Sequence, residues 1–185
     1  MRHADELRTL LLQDAVRMEA LKAVAALGVE EYWIGAGFVR DAVWDRLHQL
    51  PLQPPGGDVD VVWFDDRHTN EDLDHRLEQR LRVMCPHVNW SVKNQARMHV
   101  RNHDPAYHSV EDALRHWPET ATAVAVRLCG QARIDIVAPF GLEDLFALRL
   151  RPTPRFQHEK RAIFNERVRR KRWLVRYPQL ILSAD

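Results

Sequence analysis

Asp58 and Asp60 are the residues of this chain best spaced to do chemistry together. They open DVDVVWF (58–64), whose β-branched and aromatic residues predict a strand. Side chains two apart on a strand leave the same face, so both carboxylates point one way beside a Gly-rich loop. Adjacent like charges repel, and a cation between them removes that cost. Hard oxygen ligands with room for water and phosphate oxygens suit Mg²⁺ or Mn²⁺. The plainer reading makes Asp58 a turn or cap residue and Asp60 a solvent-facing strand residue. Asp135 bears on that choice. It lies in RIDIV (133–137), where Ile134 and Ile136 must face the side opposite to it. If this strand pairs near the Asp58 strand, three carboxylates converge and can hold two divalent ions for in-line phosphoryl or nucleotidyl transfer, one of them helping to deprotonate the attacking hydroxyl. Without that pairing, Asp135 is a strand-end aspartate.

A second element of the same chemistry is the turn Gly35, Ala36, Gly37, between a short buried strand (32–34) and a helical pattern (38–48). A strand that runs through small residues into a helix leaves backbone N–H groups at the helix start, where an anion is favoured. Arg40, one helical turn in, adds a charge-assisted contact to such an anion. There is no GxxxxGK[ST] loop, and GAGFVRD lacks the last glycine of a dinucleotide fingerprint. Lys93, Asn94, Arg97 and His99 lie in SVKNQARMH, which opens a helix after a short strand. Triphosphate or acceptor contacts and plain surface or capping roles are both open to them. Trp117-Pro118-Glu119-Thr120 precedes another strand, where Thr120 or Thr122 is a weaker candidate to touch a nucleotide, and Trp173, Tyr177 and Pro178 fit the docking of a C-terminal helix on the core better than the stacking of a base.

The elements that must position these groups are legible in outline. Leu7, Leu10, Leu11, Val16, Leu21, Val24 and Leu27 recur at three- and four-residue steps, predicting one amphipathic helix over 4–27, ended by Gly28. Residues 49–57, with three prolines and two glycines, predict a mobile loop. Helices follow over 70–84, 94–101 and 110–116, with a short strand at 90–93 between the first two. Two strands, 121–128 and 133–137, are spaced as a hairpin. A short helix (142–148), a Pro-punctuated link and a basic helix over about 157–175 complete the chain. Alternating helices and short strands predict an α/β or α+β fold organised as one domain over 1–185, with a core of about 28–150 and a basic helical extension over 151–185.

Composition bounds the setting. Two distant cysteines, Cys85 and Cys129, form no CxxC or secreted framework, so both read as buried thiols in a reducing compartment. The histidines include Cys85-Pro-His87, His99, His103 and His108, but none pairs with two cysteines at a zinc-site spacing, so no structural zinc is expected. No apolar run approaches the roughly 20 residues of a membrane span and the N-terminus lacks a signal-peptide core, so a cytoplasmic location is expected. Eleven Arg or Lys against three acidic residues over 149–185 leave the rest of the chain acidic. The basic segment is therefore either an anion-binding face, with nucleic acid among its partners, or a solvated helix balancing an acidic body.

These motifs carry a resemblance. The order Ala36-Gly37-Phe38-Val39-Arg40-Asp41, then D-x-D on the next strand, then a distant strand aspartate, resembles the DNA polymerase β-type nucleotidyltransferase superfamily. The first of these is similar to the GGxVRD of its tRNA-nucleotidyltransferase branch. Ala36 departs by standing where that branch has its first glycine, and the Pro/Gly loop is longer. GAGFVRDAVWD, DVDVVWFD, WSVKNQARMH, HWPETATAVAVRL, IDIVAPFGLEDLF and RPTP together resemble a small bacterial nucleotidyltransferase-like family over nearly the whole chain. The resemblance implies the nucleotidyltransferase fold, an α+β fold with a small mixed sheet flanked by helices, with Asp58, Asp60 and Asp135 on its metal triad and Ala36 and Gly37 on its phosphate turn. It implies an NTP and Mg²⁺ (or Mn²⁺) as partners, with RNA, protein or a small molecule as acceptor. A nucleotide- or RNA-binding module that keeps the fold without turnover is the competing expectation.

Overall fold

The computed structural model describes residues 2–28, 31–51, 53–130 and 132–183. In chain order the elements are α1 (Arg2–Gln13), α2 (Ala15–Ala25), β1 (Trp33–Gly35), α3 (Gly37–Leu47), β2 (Val59–Trp63), α4 (Asp72–Met84), β3 (Trp90–Asn94), α5 (Gln95–Asn102) and α6 (Val110–Leu114). They continue with β4 (Ala125–Cys129), β5 (Arg133–Val137), α7 (Glu143–Phe146), β6 (Arg149–Leu150), α8 (Pro154–Gln157), α9 (Arg161–Lys171), α10 (Trp173–Arg176) and β7 (Ile181–Leu182). The α+β expectation holds: a mixed five-stranded sheet runs β3-β2-β1-β4-β5, parallel only between β2 and β3, and β6 and β7 form a separate parallel pair.

Strand alternation divides this sheet cleanly. Ile34, Val59, Val61, Trp63, Val92, Val126 and Ile134 face α1 to α4 and form the main core, together with Leu7, Leu11, Leu21, Val39 and Trp44. Asp60, Val62, Trp33, Ala125, Arg127, Asp135 and Val137 take the other face by register. Along part of that face Val62, Ala123 and Ala125 are covered by Val110 and Leu114 of α6. The remainder, at the start of β2, is where the carboxylates lie.

Three element boundaries differ from the sequence pattern. The N-terminal helix is two helices, because the Asp14 side chain accepts a hydrogen bond from the Arg17 amide at 3.0 Å and so begins a new helix while the apolar period runs on unbroken. Residues 121–124 are a turn rather than strand: the Thr122 and Ala123 amides both donate to the Glu119 carbonyl, delaying β4 until Ala125. The basic C-terminal helix is three short ones, interrupted at His158 and by the left-handed Arg172 (φ 52°). Its apolar residues Phe156, Phe164, Val168 and Trp173 enter the main core. Of the two cysteines only Cys85 is buried; Cys129, on the outer half of β4, is partly exposed.

Candidate active site

At the end of β1 the chain turns through Ala36 with φ 55° and ψ −128°, a backbone conformation natural to glycine and strained for an L side chain. The Ala36 amide donates to the Val124 carbonyl at 3.2 Å, anchoring the turn to the segment before β4. Gly35 is small for packing: a Cβ there would lie 3.1 Å from both the Trp117 ring and the Val124 carbonyl oxygen. A Cβ on Gly37 would meet Arg40 Nη2 at 3.4 Å. Helix α3 starts at Gly37, so its first amides have no partner within the helix and point out of the turn.

Beside this turn lies the acidic pair. Asp58 is exposed just before β2, and Asp60 is half-buried within it. Extending the β1–β2 register by one residue sets Asp60 against Gly35, and β3 places Ser91 directly opposite Asp60 on its other side. Neither carboxylate has a hydrogen-bond or ion-pair partner among the described residues. Burial, reinforced by the negative charge of Asp58, pushes the Asp60 pKa up to about 6, against the opposing charges of Arg167, Lys171 and Arg40. Arg167 and Lys171 belong to α9, so the basic segment presents cations to this pair.

Asp135 does not join them. β5 pairs with β4, not with β2, so β1 and β4 stand between the Asp135 strand and the Asp58 strand. Val137, not Asp135, is level with Ala125 and Gly35. Three interstrand steps alone separate β5 from β2 by about 14 Å. Asp135 instead takes hydrogen bonds at Oδ2 from Cys129 Sγ (3.1 Å) and Arg127 Nη2 (3.2 Å), and Arg133 Nε sits 3.2 Å from Oδ1. The Cys129 bond first, then the two arginines, hold its carboxyl below the usual range.

A nucleotidyltransferase family profile matches residues 22–182. This chain belongs to that family. Its fold is the polymerase β-type nucleotidyltransferase fold. An NMR structure described as revealing a CCA-adding enzyme head domain superposes with TM-score 0.84 at 30% identity, covering 98% of this chain and 96% of the other. A tRNA-processing enzyme in apo form I superposes with TM-score 0.51 at 18% identity over 97% of this chain, and its apo form 2 with TM-score 0.52 at 19% identity over 89%. This chain covers 43% and 44% of those two, so the likeness is one of fold with less than half of a larger protein. A search of curated proteins gave no match.

In this chain the remaining sequence candidates divide between strut and site. Arg40 is buried, donates from Nε to Asp41 Oδ1 (2.9 Å) and from Nη1 to Thr122 Oγ1 (3.1 Å), and lies over the Trp44 and Trp173 rings at 5.2 and 4.5 Å. It ties α3 to the turn before β4 and to α10, leaving little of it to meet a phosphate. Asn94 is fully buried: its Oδ1 accepts from the Ala96 and Asp65 amides, and its Nδ2 donates to the Asp65 and His68 carbonyls. Arg97 pairs with Glu71 at 2.8 Å and with Asp74. Both are structural, which is the capping alternative the sequence left open. Lys93 stays on the Asp60 face, opposite Val62, and carries no ion pair among the described residues.

Four residues were not singled out by sequence: Ser91, Glu119, Arg167 and Lys171. Arg167 and Lys171 stand four apart on α9 and so share a helix face, a signal hidden in the density of basic residues around them. Arg167 Nε donates to Glu119 Oε1 at 2.7 Å, and the fully buried Glu119 keeps its Oε2 without a partner among the described residues.

Proposed function

We propose that this chain is a metal-dependent nucleotidyltransferase that moves a nucleoside monophosphate from an NTP to a hydroxyl acceptor with release of pyrophosphate. The observation that carries this reading is the pair Asp58 and Asp60, without a hydrogen-bond or ion-pair partner among the described residues, one exposed and one half-buried, beside the first amides of α3. A half-buried carboxylate whose affinity for a proton is raised by burial and by its neighbour is a group in want of a cation, and its hard oxygens suit Mg²⁺ or Mn²⁺. Asp58 and Asp60 would hold the ion, which supplies charge neutralisation at the phosphates and at the attacking oxygen.

The chain's own groups do the rest. The Gly37 and Phe38 amides orient a phosphate at the positive end of α3. Arg167 and Lys171 add positive charge over the same space, and Glu119 sets the direction of the Arg167 guanidinium. Lys93 and Ser91 extend the polar surface along β3. Rate enhancement then rests on fixed charge and alignment rather than on covalent chemistry. The relatives named as CCA-adding and tRNA-processing enzymes make tRNA the first acceptor to test, ahead of protein and small molecules.

One observation favours the second reading, a nucleotide- or RNA-binding module without turnover. With Asp135 across the sheet, the site has two carboxylates rather than three. Incubation with NTPs labelled at the α-phosphate, Mn²⁺ and total RNA decides between them. Label in RNA with stoichiometric pyrophosphate, lost in Asp58→Asn/Asp60→Asn, supports transfer. Salt-sensitive RNA binding with no pyrophosphate from any NTP supports the module.

A further inference from the structure

On the sheet face opposite Asp60, one group of side chains has the chemistry of a transition-metal site. Glu19 of α2 approaches Cys85 and His87, in the turn from α4 to β3, so that one ligand atom of each lies within 4.8 Å of the others. Cys85 Sγ is 3.6 Å from His87 Nε2 and 4.0 Å from Nδ1, and His87 Nε2 is 3.5 Å from Glu19 Oε2. A tetrahedral zinc with Zn–S of about 2.3 Å and Zn–N and Zn–O of about 2.0 Å sets sulfur and nitrogen about 3.5 Å apart and nitrogen and oxygen about 3.3 Å apart. The three side chains already keep those spacings to within a few tenths of an ångström.

We propose that Glu19, Cys85 and His87 form a zinc site with a fourth position left for water. A thiolate and an imidazole select Zn²⁺ over the Mg²⁺ that suits the aspartate pair, and thiolate plus carboxylate neutralise the dication. The Cys85 thiol passes its proton to solvent as the Zn–S bond forms. The sulfur is fixed in place: Cys85 is fully buried at the end of α4, and its carbonyl accepts from Trp90 Nε1 at 3.1 Å. The other two side chains are half exposed, at 54% for Glu19 and 53% for His87, so an ion has a way in and the imidazole is free to turn Nε2 toward it. Bound there, zinc clasps α2 to the α4–β3 turn. Sequence spacing could not reveal the site, because Cys85-Pro-His87 supplies two ligands and the third comes from a helix 66 residues earlier.

Cobalt substitution tests the site on the full chain without nucleotide. One equivalent of Co²⁺ is expected to give a thiolate-to-cobalt absorption in the near ultraviolet and intense tetrahedral d–d bands, which the all-oxygen Asp58/Asp60 pair cannot produce. Cys85→Ser abolishes these bands, and Cys129→Ser and Asp58→Asn/Asp60→Asn leave them intact. Cys85 is buried, so the fold-sparing variants His87→Ala and Glu19→Gln carry the test: each is expected to lower Co²⁺ and Zn²⁺ affinity at least about tenfold and to remove the zinc-dependent rise in Tm. Absence of the thiolate band in the unmodified chain, or unchanged affinity in either of those variants, overturns the proposal.

Discussion

Asp60 and Asp135 lie on the same face of one sheet, and their surroundings are opposite. Asp60 has no bonding partner among the described residues, is pushed up to about pKa 6 by burial and by Asp58, and adjoins a turn strained at Ala36. Asp135 is bonded by Cys129, Arg127 and Arg133 and held below the usual carboxylate range. The first region spends stability that the second retains. A carboxylate already satisfied by its own chain has little left for a ligand, so the difference separates a site from a strut more sharply than strand position does.

That contrast is breakable by substitution. Asp60→Asn is expected to lower nucleotidyl transfer at least about a hundredfold, whereas Asp135→Asn changes kcat/KM less than about threefold; equal losses in steady-state assays would erase the distinction. The stability effects should run the other way. In denaturant titrations at pH 7 without metal, Asp60→Asn gains about 1 kcal/mol by removing a desolvated charge, and Asp135→Asn loses about 1 kcal/mol with its charge-assisted bonds. Gly35→Ala, which forces a methyl against Trp117 and the Val124 carbonyl, should cost about 1–3 kcal/mol.

Protons give a further test. The folded-state value of about 6 for Asp60 exceeds its ordinary 3.8, so the native chain holds that proton more tightly than the unfolded one. The resulting stabilisation is fully present below about pH 4 and disappears as pH rises through about 6. Mn²⁺ competes with the same proton, so its affinity should fall about tenfold per unit below pH 6 and level off above it, a limb absent from Asp60→Asn and kept in Asp135→Asn. The turn itself gives the last test: Ala36→Gly should raise stability by about 1 kcal/mol by relieving a positive φ, measured by thermal unfolding.

Local signals in the sequence were informative where local physics decides. β-branched density located β2 and β5, helical periodicity located α4, and the small-residue break placed the end of β1. The D-x-D spacing put Asp58 and Asp60 together because a two-residue period needs no tertiary knowledge. Strand order has no such local signature. Whether β5 adds beside β2 or beyond β4 depends on packing between distant segments, and so Asp135 was drawn toward a site it does not reach. Arg40, Asn94 and Arg97 show the same limit: their types suit phosphate, but Thr122, Asp65, Asp74 and two tryptophans claim them first. Arg167 and Lys171 act on the acidic pair only because the fold brings α9 near enough for their charges to reach Asp60.

The aromatic stack around Arg40 has a consequence for how the basic segment can be studied. Trp173 and Tyr177 meet the Trp44 ring edge-on at 6.0 and 5.3 Å, and the Tyr177 hydroxyl donates to Asp45 Oδ1 at 2.8 Å. Removing residues 157–185 would strip the lining from α3, the helix whose first turn borders the acidic pair. A truncated protein that failed to bind RNA or NTP would then report a collapsed scaffold, and its silence would say nothing about electrostatics. Charge reversal at exposed Arg169 and Arg170, outside the stack, separates the two, because it alters the field and leaves the keystone in place.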